Sequence, residues 1–452
     1  MAKKTYQIVT LGCAKNNVDS ESMAQLLDRG GYRRVEHLDR AEIIVVNTCG
    51  FIAAAREESL RVLREMAAAK RKHQKLIAAG CLTQRYGDEV LRQVPGIDGI
   101  LGTRRWMDIL EVVETLRDNG HPKPRYDLPT NVDLEEDMDG VLRAAIQGGS
   151  AYLKIADGCR RPCAFCAIPL IKGRAVSRPV ELILREAQIM QERGVRELIL
   201  IAQDTTDYGS DLGMRDGLTT LLERLIETLE QTTPPNGKGV EWIRILYAYP
   251  GCVSDRLIEL MASEPKIVHY LDMPLQHAHP EVLRRMRRPA NLEWVTHTIE
   301  KMRRAMPDLA LRTTFIVGYP GETEQEFQTL LDFVQKMRFD RVGAFQFSFE
   351  HGTPSEPLGD PIPMEVKQER YERLMTLQQR ISLEKNQAMI GTTLRVLIEG
   401  QGEGISVGRT YRDAPEIDGL VIVEGEHPSG EFIPVRLTSA MPYDLSGVVD
   451  EP

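Results

Sequence analysis

The chain of 452 residues is predicted to be an α/β protein in three parts, and three observations carry that reading. Short apolar runs alternate with amphipathic stretches over the first 120 residues. The same alternation resumes from Ala151 with six strand-helix units, and after Gly391 it gives way to short strands separated by glycine-rich turns. The expected architecture is an N-terminal open parallel sheet (1–120), a linker (121–147), a central partial (βα)6 barrel (148–385) and a small C-terminal antiparallel β-barrel (386–452). This length is ample for two or three cores.

In the first part, the runs 6–11, 42–46 and 75–79 read as parallel strands, with helices near 18–29 and 53–72. Each strand is followed at once by a cysteine: Leu11-Gly12-Cys13, Asn47-Thr48-Cys49 and Ala79-Gly80-Cys81. Ligands gather at the carboxyl ends of strands in an open parallel sheet, so three separated thiols are delivered to one edge. Free cysteine is commonly a small core residue. Three at the same topological position point instead to a shared metal site. Residues 121–147 break the periodicity with His121-Pro122-Lys123-Pro124 and an acidic stretch, and read as a linker with part of it ordered as a hairpin.

The central part opens on the apolar run Tyr152–Ile155 and the loop Asp157-Gly158-Cys159-Arg160-Arg161-Pro162-Cys163-Ala164-Phe165-Cys166. Three thiols spaced C-x3-C-x2-C on one tight loop converge on one iron-sulfur cluster, and three ligands leave one iron of a four-iron cluster open. A zinc loop is the alternative, but zinc sites pair two C-x2-C halves or add histidines, and neither is nearby. Strands are expected at 152–155, 197–202, 241–247, 269–273, 310–317 and 341–347. Helices are expected near 179–193, 218–231, 254–263, 291–306 and 323–337, with a charged helix at 363–389. Six units suggest an open barrel, with its active face at the carboxyl ends of the strands. On that rim lie Ala202-Gln203-Asp204-Thr205-Thr206, Asp272-Met273-Pro274-Leu275-Gln276-His277 and Gly318-Tyr319-Pro320-Gly321-Glu322. Gln203 is suited to hydrogen-bond the polar groups of a nucleoside cofactor, and Gly318 and Gly321 to let backbone approach it. His277 and His279 read as a helix-start pair.

The last part offers strands at 392–398, 404–410, 420–423 and 431–437, a pattern for a small barrel. Such barrels often bind RNA, but this one carries eleven carboxylates against four arginines and no lysine, or −7 of the chain's −9. That sign predicts no stable nucleic-acid binding and favours a basic protein partner. The N-terminus makes a poor signal peptide, and no apolar run approaches membrane-spanning length. Seven cysteines therefore read as ligands in a reducing cytoplasm, with one, Cys252, spare.

With these segments in hand, the whole chain resembles the radical S-adenosylmethionine (SAM) methylthiotransferases. The resemblance rests on the C-x3-C-x2-C loop with an aromatic, Phe165, before the last cysteine, on three strand-end cysteines, and on a C-terminal barrel of the TRAM type. It implies two 4Fe-4S clusters: Cys159, Cys163 and Cys166 hold the one that binds SAM, and Cys13, Cys49 and Cys81 hold an auxiliary one. SAM contacts fall on Phe165, Gln203, Gly318 and Gly321. The segments 202–209 and 272–277 look like the branch called RimO, which modifies the β-carbon of an aspartate in ribosomal protein S-twelve. The implied partners are that basic protein, docked by the acidic tail, an electron donor and a sulfur donor. A tRNA adenosine methylthiotransferase is one alternative, and a non-enzymatic iron-sulfur or zinc scaffold with an RNA-adaptor tail is another. On this view, removing residues 391–452 abolishes methylthiolation and spares SAM cleavage.

Overall fold

A computed structural model describes residues 4–118, 125–128, 140–232, 234 and 237–450. The N-terminal sheet has six parallel strands in the order Arg33–Arg34, Thr5–Thr10, Ile43–Thr48, Lys75–Gly80, Gly99–Gly102, Arg125–Asp127. All six residues of Ile43–Thr48 are buried, because both faces of the sheet are covered. Ile43 and Val45 face Met23, Leu27, Ile109 and Val113. Ile44 and Val46 face Leu60, Leu63, Leu82 and Val90. The alternation is that of a strand, with successive side chains on opposite faces. The helices Ala14–Arg29 and Ala53–Ala69 stand where the periodicity placed them, and Cys81–Gln93 and Ile109–Asp118 complete the layers.

The central sheet contains the six expected parallel strands, ordered Arg341–Gln346, Ala310–Val317, Ile267–Asp272, Trp242–Ile245, Glu197–Ile201, Ser150–Lys154. A seventh, Ala144–Gln147, pairs antiparallel with Ser150–Lys154 at one edge. The tail end of the expected linker is therefore a hairpin arm. Another stretch of that linker, Arg125–Asp127, adds a strand to the first sheet, while 121–124 and 129–139 lie outside the described residues. The outer face of the central sheet packs Leu153, Leu198, Leu200, Ile243 and Ile245 against the surrounding helices. One of these, Glu324–Met337, is started by a capping box in which Thr323 and Glu326 satisfy each other's backbone amides.

The C-terminal barrel closes with five strands, Thr393–Gly402, Ile405–Arg409, Val421–Glu424, Leu445–Val449 and Phe432–Ala440, the last of them in space closing on the first. The fifth, Leu445–Val449, was not expected. It pairs antiparallel with the preceding Phe432–Ala440 and parallel with Val421–Glu424. Val396, Ile398, Val421, Val423, Val435 and Leu437 fill the interior.

The three parts share one core. Ala14 and Val18 from the first helix, Tyr152, Ile199, Trp242 and Tyr270 from the concave face of the central sheet, and Leu397 and Ala414 from the tail pack together. The segment 410–418 enters that concave face, and its carboxylates pair there. Arg341 donates to Asp413, with both side chains buried at 6% and 1% exposure. Asp418 accepts from Tyr270 Oη at 2.6 Å and faces Arg312 Nε at 3.3 Å. Arg409 from the tail meets Glu197 at 2.6 Å, and Glu197 also takes Arg244 at 2.7 Å. Two of the tail's eleven carboxylates, Asp413 and Asp418, are thus matched inside the molecule. Truncation at 391 would strip Arg341 of its counter-ion and uncover the core around Tyr152 and Trp242, so the expected sparing of SAM cleavage does not follow.

Removing one partner of a buried pair leaves an uncompensated charge and costs about 3–5 kcal/mol. Asp413→Ala is therefore expected to lower the stability of the whole chain by that amount in urea denaturation, with the tail and central parts unfolding together. A separate early transition of the tail alone would show that this interface is not integral.

Candidate functional site

The three strand ends of the N-terminal sheet meet at backbone level. Cys13 caps the helix Ala14–Arg29, Cys49 follows Ile43–Thr48, and Cys81 starts Cys81–Gln93. Gly12 has φ +98°, and a Cβ there would lie 2.9 Å from Cys49 Cβ. Gly80 has φ +102°, and its Cβ would strike the carbonyl oxygen of Thr48 at 2.6 Å. Both positions need glycine on both counts. Asn16 ties the three ends together: Nδ2 donates to Leu11 O at 2.7 Å and to Thr48 O at 3.2 Å, and Cys81 Sγ donates to Oδ1 at 3.8 Å. Ser59 Oγ clamps both backbone groups of Cys49. Neither residue was legible in the sequence, although an asparagine in the first helical turn after a cysteine is a signal that it reaches back to the loop.

The central loop is held just as closely. Ala156–Asp157 pairs with Val176–Ser177, and a Cβ on Gly158 (φ +72°) would collide with Arg174 O at 1.9 Å. Cys159, Cys163 and Cys166 border a cavity of about 600 Å³ with Arg161, Pro162 and Arg287. Among the described residues no group of three His, Cys, Asp or Glu side chains is spaced to close on a single metal ion. The donors around the sulfurs suit thiolates that carry negative charge. The Arg161 amide donates to Cys159 Sγ at 3.4 Å, and Arg288 Nη1 lies 3.6 Å from Cys163 Sγ. Burial pushes the thiols of Cys81 and Cys166 up to about 12 and that of Cys159 up to about 11, and raises Cys49. These sulfurs must release protons to ligate a metal, which a bound cation drives.

The rim segments divide by role. Gln203 is half-buried and its side chain hydrogen-bonds to no described residue. Its neighbour Asp204 accepts from Arg161 Nε at 2.6 Å and Asp207 accepts from Arg160 Nε at 2.9 Å, so this segment fastens the cysteine loop. The guanidinium groups of Arg161 and Arg288 both lie 4.2 Å from the centre of the Tyr249 ring. Cys252, the spare thiol, stands 3.1 Å from Arg161 Nη2. Phe165 packs toward Val282, Met286, Tyr319 and Phe347. Gly318 makes room for Lys367, whose Cγ a Cβ would meet at 2.4 Å, whereas a Cβ on Gly321 would find its nearest neighbour, Arg285, at 3.8 Å. His279 caps Pro280–Arg285 and its amide donates to His277 Nδ1 at 2.9 Å, as expected of a helix-start pair.

Between the two sets of thiols lies a buried ion cluster. Asp19 accepts from Lys154 Nζ at 2.7 Å, Arg143 Nη2 at 2.7 Å and Lys172 Nζ at 2.9 Å. Asp157 takes Lys154 at 2.7 Å and Arg143 at 3.1 Å. Burial works to raise the Asp19 carboxyl, but Lys154, Lys172 and Arg143 overcome it and hold it well below the usual carboxylate range. Asp19 sits on the helix that Cys13 caps, Asp157 precedes Cys159, and Lys172 ends the short helix Ile168–Lys172 after Cys166. One network therefore grips the mounts of both triads. Nearby, burial lowers the Lys15 ammonium from its ordinary value, against the pull of Cys13 and Asp272.

Sequence profiles of the uncharacterized protein family UPF0004, the radical SAM superfamily and the TRAM domain match residues 5–102, 153–334 and 390–449. The ribosomal protein uS12 methylthiotransferase RimO of Chloroflexus aurantiacus is 50% identical, with 98% of this chain and 99% of that one covered. Its namesake from a Roseiflexus species is 47% identical over 99% and 97%. Among solved structures, the radical SAM methyltransferase TsrM of Kitasatospora setae shares the fold at a TM-score of 0.56 and 12% identity, covering 78% of this chain and 74% of that one. The cobalamin-dependent SAM radical enzyme OxsB does so at 0.51 and 12%, over 85% and 56%.

Glu322 supplies a pH test of this rim. Burial pushes its carboxyl up to about 7, against Arg370 at 3.1 Å and the Tyr319 amide. A carboxyl raised in the folded state adds stability that is complete below its ordinary value of 4.5 and is lost as pH rises through about 7. Wild-type apoprotein is expected to fall in melting temperature from pH 5 to 8, and Glu322→Gln to lose that fall. Parallel pH profiles for the two would place the Glu322 titration elsewhere.

Proposed function

The chain belongs to the RimO-type radical SAM methylthiotransferases, and on that premise we propose that it adds a methylthio group to the β-carbon of an aspartate in ribosomal protein uS12. The observation that supports the chemistry most directly is the pair of thiol triads, each on its own scaffold, with a single buried ion network fastening both. Cys159, Cys163 and Cys166 would hold the cluster that binds SAM, and Cys13, Cys49 and Cys81 the auxiliary cluster. When bound, these groups supply radical abstraction of an unactivated hydrogen and a sulfur for insertion, which no side-chain base achieves at a carbon of that acidity.

The protein's own residues position and shield. The Arg161 amide and the Arg288 guanidinium meet the central sulfurs, and Asp204 and Asp207 fasten the loop by holding Arg161 and Arg160. Asn16 and Ser59 fix the strand-end cysteines. Gln203 is the SAM contact best placed to hydrogen-bond, and Gly321 leaves room for close backbone approach. Phe165 and Gly318 serve the site through packing. The division into 1–120, 148–385 and 386–452 gives each triad a separate scaffold, with the tail bracing the central sheet.

Reduction and sulfur supply call for an electron donor and a sulfur donor, and the setting is cytoplasmic. Among the described residues no helix is long and apolar enough to cross a membrane. With Asp413 and Asp418 paired internally, the docking of basic uS12 falls to the exposed carboxylates Glu403, Glu424 and Glu426 on the outer barrel. The tRNA and scaffold alternatives have no observation that favours them.

Anaerobically reconstituted protein is expected to methylthiolate uS12, and not tRNA, when both are offered with SAM and reductant, as read by mass spectrometry. Replacing any one of Cys159, Cys163 or Cys166 by Ala is expected to halve the iron and abolish SAM cleavage. Replacing Cys13, Cys49 or Cys81 halves the iron but leaves SAM cleavage without methylthiolation. Unchanged iron in either set, or a modified tRNA, contradicts the proposal.

A further inference from the structure

One cation where the three parts meet has no counter-ion. Lys15 stands in the first turn of Ala14–Arg29, two residues past Cys13, and is 6% exposed. Among the described residues it forms no ion pair. Its ammonium rests instead 3.2 Å from the centre of the Tyr247 ring. Tyr247 lies just past the strand Trp242–Ile245 with φ +63°, an unusual backbone conformation for an aromatic residue, which presents the ring at the carboxyl rim of the central sheet.

The charged groups around Lys15 are already engaged. Asp272 takes Arg312 Nη1 at 2.9 Å and the Tyr247 amide at 3.2 Å. Asp157 takes Lys154 and Arg143, and Lys172 takes Asp19. The ion cluster beside it holds three cations, Arg143, Lys154 and Lys172, against two carboxylates, so it offers Lys15 no spare negative charge. A ring face attracts an ammonium, but only as a quadrupole and without a net opposite charge. The penalty for burying an ion exceeds what such a contact returns. The site is therefore short of one anion, and Cys13, exposed, marks its open side.

We propose that Lys15 receives the side-chain carboxylate of the substrate aspartate and so determines both the position of the reacting carbon and the choice of aspartate over asparagine. This rests on the protein-substrate reading above. In an aspartate the carboxylate is bonded to the β-carbon itself, so a carboxylate held on Lys15 fixes the β-hydrogens at one bond's remove. Asparagine has the same shape and no charge, and would leave the ammonium as it is. Lys15 stands on the helix that Cys13 caps and lies against the rim of the sheet that carries the central triad, which is where a carbon serving both triads must be held.

The test uses the full-length reconstituted enzyme and two peptides spanning the modified uS12 loop, one with the native aspartate and one with asparagine there. Lys15→Met fills a similar volume without charge, and Lys15→Arg keeps the charge. In Lys15→Met, kcat/KM on the aspartate peptide is expected to fall at least ~30-fold, the lower end for truncating one partner of a buried charge pair. Its preference for binding the aspartate over the asparagine peptide, measured by fluorescence anisotropy, is expected to vanish, with iron content as in the wild type. Lys15→Arg is expected to keep a measurable preference. A Lys15→Met enzyme with wild-type kcat/KM and wild-type aspartate preference overturns the assignment. Loss of iron in that variant overturns it as well, because Lys15 would then be offsetting the charge at Cys13. If the wild-type enzyme leaves the aspartate peptide unmodified, the protein-substrate reading itself fails, and this assignment with it.

Discussion

The arrangement depends on five buried charges: Asp19 and Asp157 shared among Arg143, Lys154 and Lys172. Separate domains that each carry a metal site are ordinarily free to shift against one another. Here Asp19 removes that freedom, because separating the N-terminal helix from the central sheet would take it from Arg143, Lys154 and Lys172 and leave Asp157 to match three cations, an uncompensated buried charge that costs about 3–5 kcal/mol. The network is anchored at the places where position matters: the helix capped by Cys13, the residue two before Cys159, and Lys172, six residues past Cys166. A buried ion cluster is weak support for stability alone. As a device for fixing the register of two sites it is well suited, since its charges tolerate one arrangement and penalise the others.

The tail adds a second constraint of the same kind. Its segment 410–418 lies in the concave face of the central sheet, with Asp413 on Arg341, Asp418 on Arg312 and Tyr270, and Ala414 in the common core. A sheet of six parallel strands that does not close into a barrel leaves its concave face and the buried arginines on it without partners. The tail supplies both the apolar cover and the carboxylates. The acidity concentrated after Gly391 thus has a structural component, and only its outer part is free to meet a basic partner.

The fold was largely legible because both βα parts follow simple periodicity. The expected helices 179–193 and 254–263 are Val180–Glu192 and Asp255–Ser263, and the strand 310–317 is Ala310–Val317. That Cys13, Cys49 and Cys81 stand at adjacent strand ends and that Cys159, Cys163 and Cys166 line one cavity was legible from spacing and strand-end position. What escaped was whatever depends on contacts between distant segments. Asp19 reads as an ordinary polar residue of an amphipathic helix until Lys154 and Lys172 are seen to surround it. Asp204 looked like a turn residue or a cofactor contact, and its geometry makes it the holder of Arg161. Gly318 looked like an opening for a cofactor, and the opening is filled by Lys367. For Asp19, Asp204 and Gly318 local chemistry was read correctly as polar or permissive, and the partner that gave it meaning lay 40 or more residues away.

The claim that these buried charges keep two separate sites working as one is tested most directly by Asp19→Ala. With iron content matched to the wild type, the quantity to measure is methylthiolated uS12 formed per SAM cleaved. The account predicts that the variant still cleaves SAM at the central triad while that ratio collapses, because the two triads no longer hold their relative positions. A variant that cleaves SAM and methylthiolates uS12 in the wild-type ratio would contradict it.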